Sequence, residues 1–389
     1  MSEYRIPYGR QEITEEDIRS VVEVLRSDWL TQGPKIKEFE ENFARYAGSK
    51  YAVAVANGTA ALHLSLLALN IGKGDHVITT PVTFAATANA ALYTGARVHF
   101  VDIDPETFLM DPNRLEDLLK KHPKAYFKAV LPVDFAGLPA DYPELQTLAE
   151  KYGFQIIEDA CHAPGATYTD RNGISYKTGN GAHSIATAFS FHPVKHIAAG
   201  EGGMITTNDA DIHEKLLMLR THGITKKNLQ YRVLKREKQG GWYYEMHRLG
   251  YNYRITDIQA ALGNSQLKKA DERLERRREI ARKYKRELAG LPVDFQYIPE
   301  NRQHAWHLFV ILTGRRKELY DYLHKNGILV QVHYIPVHLL DYYTRLGWKK
   351  GDFPLAEAYY EKTLSLPMYP SLKEEEQEYV IEKIKDFFQ

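Results

Sequence analysis

Phe154-Gln155-Ile156-Ile157-Glu158-Asp159 is a mostly apolar run that ends in two carboxylates, and Ala160-Cys161-His162-Ala163-Pro164-Gly165 follows it directly. It reads as a buried strand running into a small-residue turn. Open α/β sheets bind ligands beyond the carboxyl ends of their parallel strands, so an acid placed there is a candidate ligand contact. Asp159 is that acid; Glu158 alternates to the other side of the strand and is the weaker candidate. Upstream, the segments 51–56, 76–80, 97–102 and 126–133 read as further strands, with helices over 57–69, 85–93 and 142–152. Strand–helix alternation at a spacing of roughly 25 to 30 residues is the pattern of a doubly wound α/β sheet. No Gly-x-Gly-x-x-Gly follows any of these strands, which argues against a nicotinamide dinucleotide.

Downstream lies Phe189-Ser190-Phe191-His192-Pro193-Val194-Lys195-His196-Ile197-Ala198-Ala199-Gly200-Glu201-Gly202-Gly203, followed by the strand-like Met204-Ile205-Thr206-Thr207. Here one lysine stands between an aromatic, histidine and proline group and a glycine cluster. Desolvation disfavours the ammonium form, so a lysine held in such a loop can act as a nucleophile near neutral pH. The glycines allow backbone to approach a ligand closely. An arbitrary lysine is a surface residue; the acid at the end of the upstream strand is what changes the reading. A lysine joined to an aldehyde cofactor, with an Asp partner for its ring nitrogen, is the protein half of pyridoxal phosphate chemistry. His192 and His196 flank Lys195, but their spacing matches no familiar zinc pattern, so no metal is expected. Cys161 has no activating neighbour and reads as a small core residue.

Asn57-Gly58-Thr59 closes the 51–56 strand and opens a helix. Amides at a helix start, with the positive end of its dipole, form an anion site, here for the cofactor phosphate through the Thr59 and Ala60 amides. An ordinary capped helix has the same residues; the lysine loop is what favours the anion site.

Five motifs in order, Asn57-Gly58-Thr59-Ala60-Ala61-Leu62, Thr83-Phe84-Ala85-Ala86-Thr87-Ala88-Asn89, Glu158-Asp159-Ala160-Cys161-His162-Ala163, the lysine loop and Gly250-Tyr251-Asn252-Tyr253-Arg254, cover essentially the whole chain. Together they resemble the DegT/DnrJ/EryC1/StrS-type nucleotide-sugar aminotransferases, fold-type I pyridoxal-phosphate enzymes. The resemblance implies a large doubly wound, mostly parallel α/β domain (1–250) and a smaller C-terminal α+β domain (251–389). It also implies Lys195 and Asp159 as catalytic residues. Phe84 would stack on the cofactor ring, His162 would contact its substituents or support Asp159, and Ser190 would join Thr59 and Ala60 on the phosphate. A satisfied core histidine is the alternative for His162, and a core residue at a strand end the alternative for Phe84. Asn252 would reach the cofactor phosphate of a second subunit, so a homodimer would share its active sites.

On the substrate side, Tyr8, Thr31, Gln32, Gly33, Arg232, Gln331 and His333 are the implied contacts. Thr31-Gln32-Gly33 can equally be a helix-to-helix turn ended by Pro34. Arg232 lies in a basic segment, 225–241, that could face the substrate diphosphate or be a solvated charge run. Leu30-Thr31-Gln32-Gly33, Phe191-His192-Pro193-Val194-Lys195 and Gln331-Val332-His333-Tyr334 are most similar to the C4 aminotransferases of pseudaminic acid biosynthesis. That similarity implies L-glutamate as amino donor and UDP-2-acetamido-2,6-dideoxy-β-L-arabino-hexos-4-ulose as acceptor. Sugar dehydratases on the same scaffold replace the lysine with histidine, and Lys195 argues against them. Pyridoxal-phosphate-binding regulators usually append a DNA-binding module, for which no spare segment is apparent.

Composition agrees. The 389 residues suffice for two domains, and 51 Lys+Arg against 50 Asp+Glu leave a net charge of +1, which argues against nucleic acid as the main partner. No apolar stretch is long enough to span a bilayer and no secretory signal is visible, so a cytoplasmic enzyme is expected. A single cysteine excludes an intramolecular disulfide. The pattern also predicts helices over 12–26 and 35–47, one long amphipathic helix over 257–288 with a wet basic middle (273–278), and a small-domain strand over 328–334. On that strand Gln331 and His333 would share one face, opposite Val332 and Tyr334.

Overall fold

The computed structural model describes residues 5–389. Its centre is a seven-stranded sheet in the order Tyr51–Val55, Gly203–Thr207, Ala186–Ser190, Gln155–Asp159, Phe127–Val130, His76–Thr79 and Arg97–Phe100. Gly203–Thr207 is antiparallel to both neighbours, and the remaining pairings are parallel. A mostly parallel sheet must be covered on both faces, and its strands read accordingly as near-continuous apolar runs. The helix Gly58–Ala68 is buried nearly all round, as its uninterrupted small and apolar sequence requires.

This topology fixes where the lysine loop goes. Gly203 pairs with Ser190 on one side and with Val55 on the other. The loop from 191 to 202 therefore leaves and re-enters the sheet at one edge, where the strands ending at Val55, Asp159 and Ser190 all terminate. Phe191 anchors it, buried against Phe39 and Phe43 at ring-centroid distances of 5.1 and 5.4 Å.

A smaller α+β unit is built on the antiparallel strands Asp294–Phe295, Phe309–Leu312 and Thr363–Leu366, with helices Ala270–Glu287, Arg316–Lys325 and Glu374–Phe388 around it. Ile6 from the other end of the chain packs into its core, and Ile6–Pro7 pairs with Ile328–Leu329. No helix among the described residues is long and apolar enough to cross a membrane.

Three expectations are corrected. The helix predicted over 257–288 is two, Asp257–Leu267 and Ala270–Glu287. The first is buried on most sides and the second on one stripe, so they bury against different neighbours. At the break Lys269 sends its amine to Asp17 Oδ1 (2.9 Å), which Ser265 Oγ also reaches (2.6 Å). Burial alone would raise the Asp17 carboxyl, but hydrogen bonds from Ser265, Thr14 and Lys269 outweigh it and hold it down at about 2. Second, the basic middle is not wholly wet: Arg273 and Arg277 are 7 % and 1 % exposed. Third, the small-domain strand stops at Leu329. Gln331 makes one isolated bridge to Ser365, and beyond it His333 and Tyr334 both face the cavity described next, so simple alternation fails.

Candidate active site

The edge where the strands end opens into a cavity of about 490 Å3, within the size range of cofactor and small-ligand pockets. Lys195 lies in its wall, with Nζ 3.3 Å from His307 Nε2. Burial pulls its amine down to about 8; the thiol of Cys161 and the carboxylate of Asp159 oppose that fall, and Arg277 adds to it. Roughly a tenth of such an amine is unprotonated at pH 7, rising to most of it above pH 8.

Asp159 ends its strand at 4 % exposure. Oδ2 accepts from Thr87 Oγ1 at 2.6 Å and Oδ1 from the Cys161 amide at 3.2 Å. Thr87 Oγ1 also lies 2.8 Å from Thr83 Oγ1, so two hydroxyls brace the carboxylate from the 83–89 motif. Glu158 faces the other way, bonded by Thr187 Oγ1 (2.8 Å) and the Gly179 amide, as strand alternation requires.

His162 Nδ1 accepts from the Ala136 amide (3.3 Å), so the neutral ring carries its proton on Nε2 and donates to the Tyr334 hydroxyl (3.1 Å). Burial, with the nearby lysine charge next, pushes its pKa well below the ordinary histidine value. His162 thus aims Tyr334 rather than acting as an acid itself.

At the helix start the Asn57 side chain accepts from the Ala60 amide at 2.8 Å. The Ala60 amide expected on the phosphate is therefore already spent on the cap, and Thr59, which lines the cavity, has its amide ahead of that bond. Gly58 and Gly203 allow the close fit. A Cβ on Gly58 would stand 2.9 Å from Ser190 Cβ, and one on Gly203 would stand 2.4 Å from the Asn57 carbonyl oxygen. Ser190 and the helix start are thereby pressed together into one cradle.

Phe84, 61 % exposed and just ahead of the helix Ala85–Thr94, turns its ring toward the cavity 6.0 Å from that of Tyr334. Tyr8 and His333 line it as well, with ring centroids 5.1 Å apart. His333 Nδ1 bonds Ser365 Oγ at 2.9 Å, and burial together with Lys195 lowers its pKa to about 3.

Thr59, Phe84, Asp159, His162, Ser190, Lys195, Tyr8 and His333 are thus gathered in one cavity. Thr31, Gln32, Gly33, Arg232, Gln331 and Asn252 do not line it. The Thr31–Gly33 turn is instead pinned to the start of the helix Asp257–Leu267, where the Gly33 amide donates to Asp257 Oδ2 at 2.7 Å, and Gln32 adopts a left-handed φ of 55°. Arg232, Gln331 and Asn252 are exposed. Cys161, expected in the core, lines the cavity. Thr87, Tyr334, His307 and Glu201 line it too and were not singled out. For His307, 112 residues from the lysine it touches, no local pattern could have done so.

The residues fit pyridoxal phosphate. The Gly58–Ser190 cradle suits a phosphate, Phe84 offers an open ring face, and a buried carboxylate and a desolvated amine share the cavity. Comparison with known proteins agrees. The model of the DegT/DnrJ/EryC1/StrS aminotransferase family matches residues 11–385. The spore coat polysaccharide biosynthesis protein SpsC of Bacillus subtilis is 40 % identical over 390 residues, covering 98 % of this chain and 96 % of that protein. Spr1654 of Streptococcus pneumoniae, assigned as a sugar aminotransferase and solved in its PLP form, superposes with a TM-score of 0.88 at 32 % identity over 98 % of both chains. Helicobacter pylori PseC, an aminotransferase of pseudaminic acid biosynthesis, gives 0.87 at 32 % identity over 99 % of both.

Proposed function

The chain belongs to the DegT/DnrJ/EryC1/StrS aminotransferase family, and we propose that its acceptor is a UDP-linked 4-keto-6-deoxy-N-acetylhexosamine aminated at C4 with L-glutamate as donor. It is a pyridoxal-phosphate-dependent sugar aminotransferase of fold-type I. The proposed acceptor is UDP-2-acetamido-2,6-dideoxy-β-L-arabino-hexos-4-ulose, in pseudaminic acid biosynthesis. The likeness to PseC over 99 % of both chains supports it. The higher identity to SpsC, a protein of spore coat polysaccharide biosynthesis, favours a second reading, a different nucleotide-linked keto-sugar.

When bound, the cofactor supplies an aldehyde for the amino group and a protonated ring that draws electrons from the reacting carbon. In our reading the protein does the rest. Thr59 and Ser190 hold the phosphate at the helix start. Phe84 would stack against the cofactor ring, and Asp159, braced by Thr87, would keep the ring nitrogen protonated. Lys195 Nζ would take up and return the proton as general base and acid. His162 steers the Tyr334 hydroxyl toward the ring, and Tyr8 and His333 line the sugar side. Thr31, Gln32, Arg232, Gln331 and Asn252, exposed here, and the half-buried Gly33 act where a second copy of the chain closes the site, with Asn252 on its cofactor phosphate.

A panel of UDP- and dTDP-linked 4-keto-6-deoxy sugars incubated with glutamate, scored by 2-oxoglutarate release, tests the assignment. The β-L-arabino UDP sugar should give the highest kcat/KM, by at least about tenfold, a discrimination of ~1.4 kcal/mol. A higher value for a sugar of another configuration or carrier rejects the pseudaminic reading in favour of the second.

A further inference from the structure

Arg277, on the helix Ala270–Glu287, is 1 % exposed and pairs with no carboxylate among the described residues. A buried charge is ordinarily paired, because the cost of desolvating it is several kcal/mol. Its Nη1 instead donates to three carbonyls, Trp306 O (3.0 Å), His307 O (3.4 Å) and Met368 O (3.0 Å), while Nε is left without a partner. Two of those carbonyls belong to the segment that carries His307 to Lys195 Nζ. That segment is unusual in itself: Trp306 has a left-handed φ of 55°, and backbone bonds from Ala305 to Gly137 O (2.8 Å) and from Leu308 to Ala136 O (3.1 Å) hold it down. One residue thus separates an unpaired buried cation from the amine.

We propose that Arg277 is a positioning residue for Lys195: its unpaired guanidinium holds His307 against the amine and, with its charge uncancelled, adds to burial in disfavouring the ammonium form. The proposal rests on the reading of Lys195 as the nucleophile. A guanidinium is suited to this, since it stays charged at neutral pH even when desolvated, whereas a carboxylate partner would cancel its field. The surroundings are arranged to leave the field uncancelled. From the lysine loop His196 faces the guanidinium, its Nε2 bonded to Ala305 O (2.8 Å). From the 304–308 segment comes His307, and from its own helix Arg273, a second cation. Both histidines are kept neutral by burial first and by neighbouring cations next. Around the amine itself stand His162 and Cys161 from the strand-end turn, Asp159 from the sheet and His333 from the small unit. Asp159 is the one carboxylate among the groups acting on the amine and works against Arg277.

The test is competitive acetylation of the full-length, cofactor-free chain with acetic anhydride across pH, read by mass spectrometry on the Lys195 peptide against an exposed lysine such as Lys317. The wild type should titrate near 8. Arg277→Gln and Arg277→Met, two neutral variants of different shape, should move the midpoint up by up to about one pH unit, the order expected for losing one neighbouring charge in a protein interior. Arg277→Lys, whose amine gives up part of its charge to desolvation and which loses the fork, should move the midpoint up by less than the neutral variants. Neutral variants that fold and titrate with the wild type overturn the proposal. If neither folds, the lysine variant decides: a midpoint unmoved from the wild type overturns the proposal. A wild-type midpoint at the ordinary lysine value would instead overturn the reading of Lys195 and leave Arg277 without a client.

Discussion

Lys195→Ala is expected to lose glutamate-dependent amination by a factor of about 10^4 or more, because one side chain supplies both the covalent attachment and the mobile proton. The loss should come without unfolding. The side chain has one recorded polar contact, to His307 at 3.3 Å, and its removal takes a desolvated amine out of a cavity rather than leaving a void in the core. The melting temperature should therefore hold within a few degrees, while the absorbance of the lysine-linked cofactor disappears. If the active sites are shared, mixing this variant with Asn252→Ala should restore activity. Random exchange of two such chains gives one intact site in half of the dimers, so about a quarter of wild-type activity is expected. No recovery after verified subunit exchange would remove Asn252 from the neighbouring site, and retained amination by Lys195→Ala alone would reject the lysine.

Asp159→Asn should cost about three orders of magnitude in kcat, ~4 kcal/mol, and leave the fold intact. The neutral amide can still occupy the space and accept from the Cys161 amide, and Thr87 Oγ1 keeps Thr83 Oγ1 as a second partner at 2.8 Å. What is lost is the negative charge that holds the ring nitrogen protonated. The loss should appear in kcat more than in KM, since glutamate and sugar do not touch Asp159 in this scheme. Near-normal kinetics would remove Asp159 from the chemistry, and a fall in stability with no change in kcat would make it a structural acid.

The two residues on which these expectations rest were legible because each sits in a contiguous pattern. The strand ending in Asp159 has a sequence signature of its own, and the glycine-flanked loop around Lys195 another, and the sheet order then brings them to one edge. Phe84, Thr59 and Ser190 were reachable for the same reason: each stands beside a strand end or a helix start. What could not be read is what arrives from a distance. His307 meets the lysine only because the small unit folds back over the sheet, and Tyr334 meets His162 from 172 residues away. The cap at the helix start was not legible either, since nothing local says that Asn57 will take the Ala60 amide for itself. The basic run at 273–278 misled for a physical reason. A helix with arginines on several faces looks solvated by composition, yet carbonyl oxygens from two other segments offer Arg277 enough polar contact to be buried.

Reduction of the purified holoprotein with borohydride, followed by digestion and mass spectrometry, interrogates the chemistry at its covalent point. The mass of the reduced cofactor should appear on the peptide containing Lys195 and vanish from it when glutamate is added before the reductant. Label on a different lysine, or no label on a protein that still transfers the amino group, would contradict the assignment.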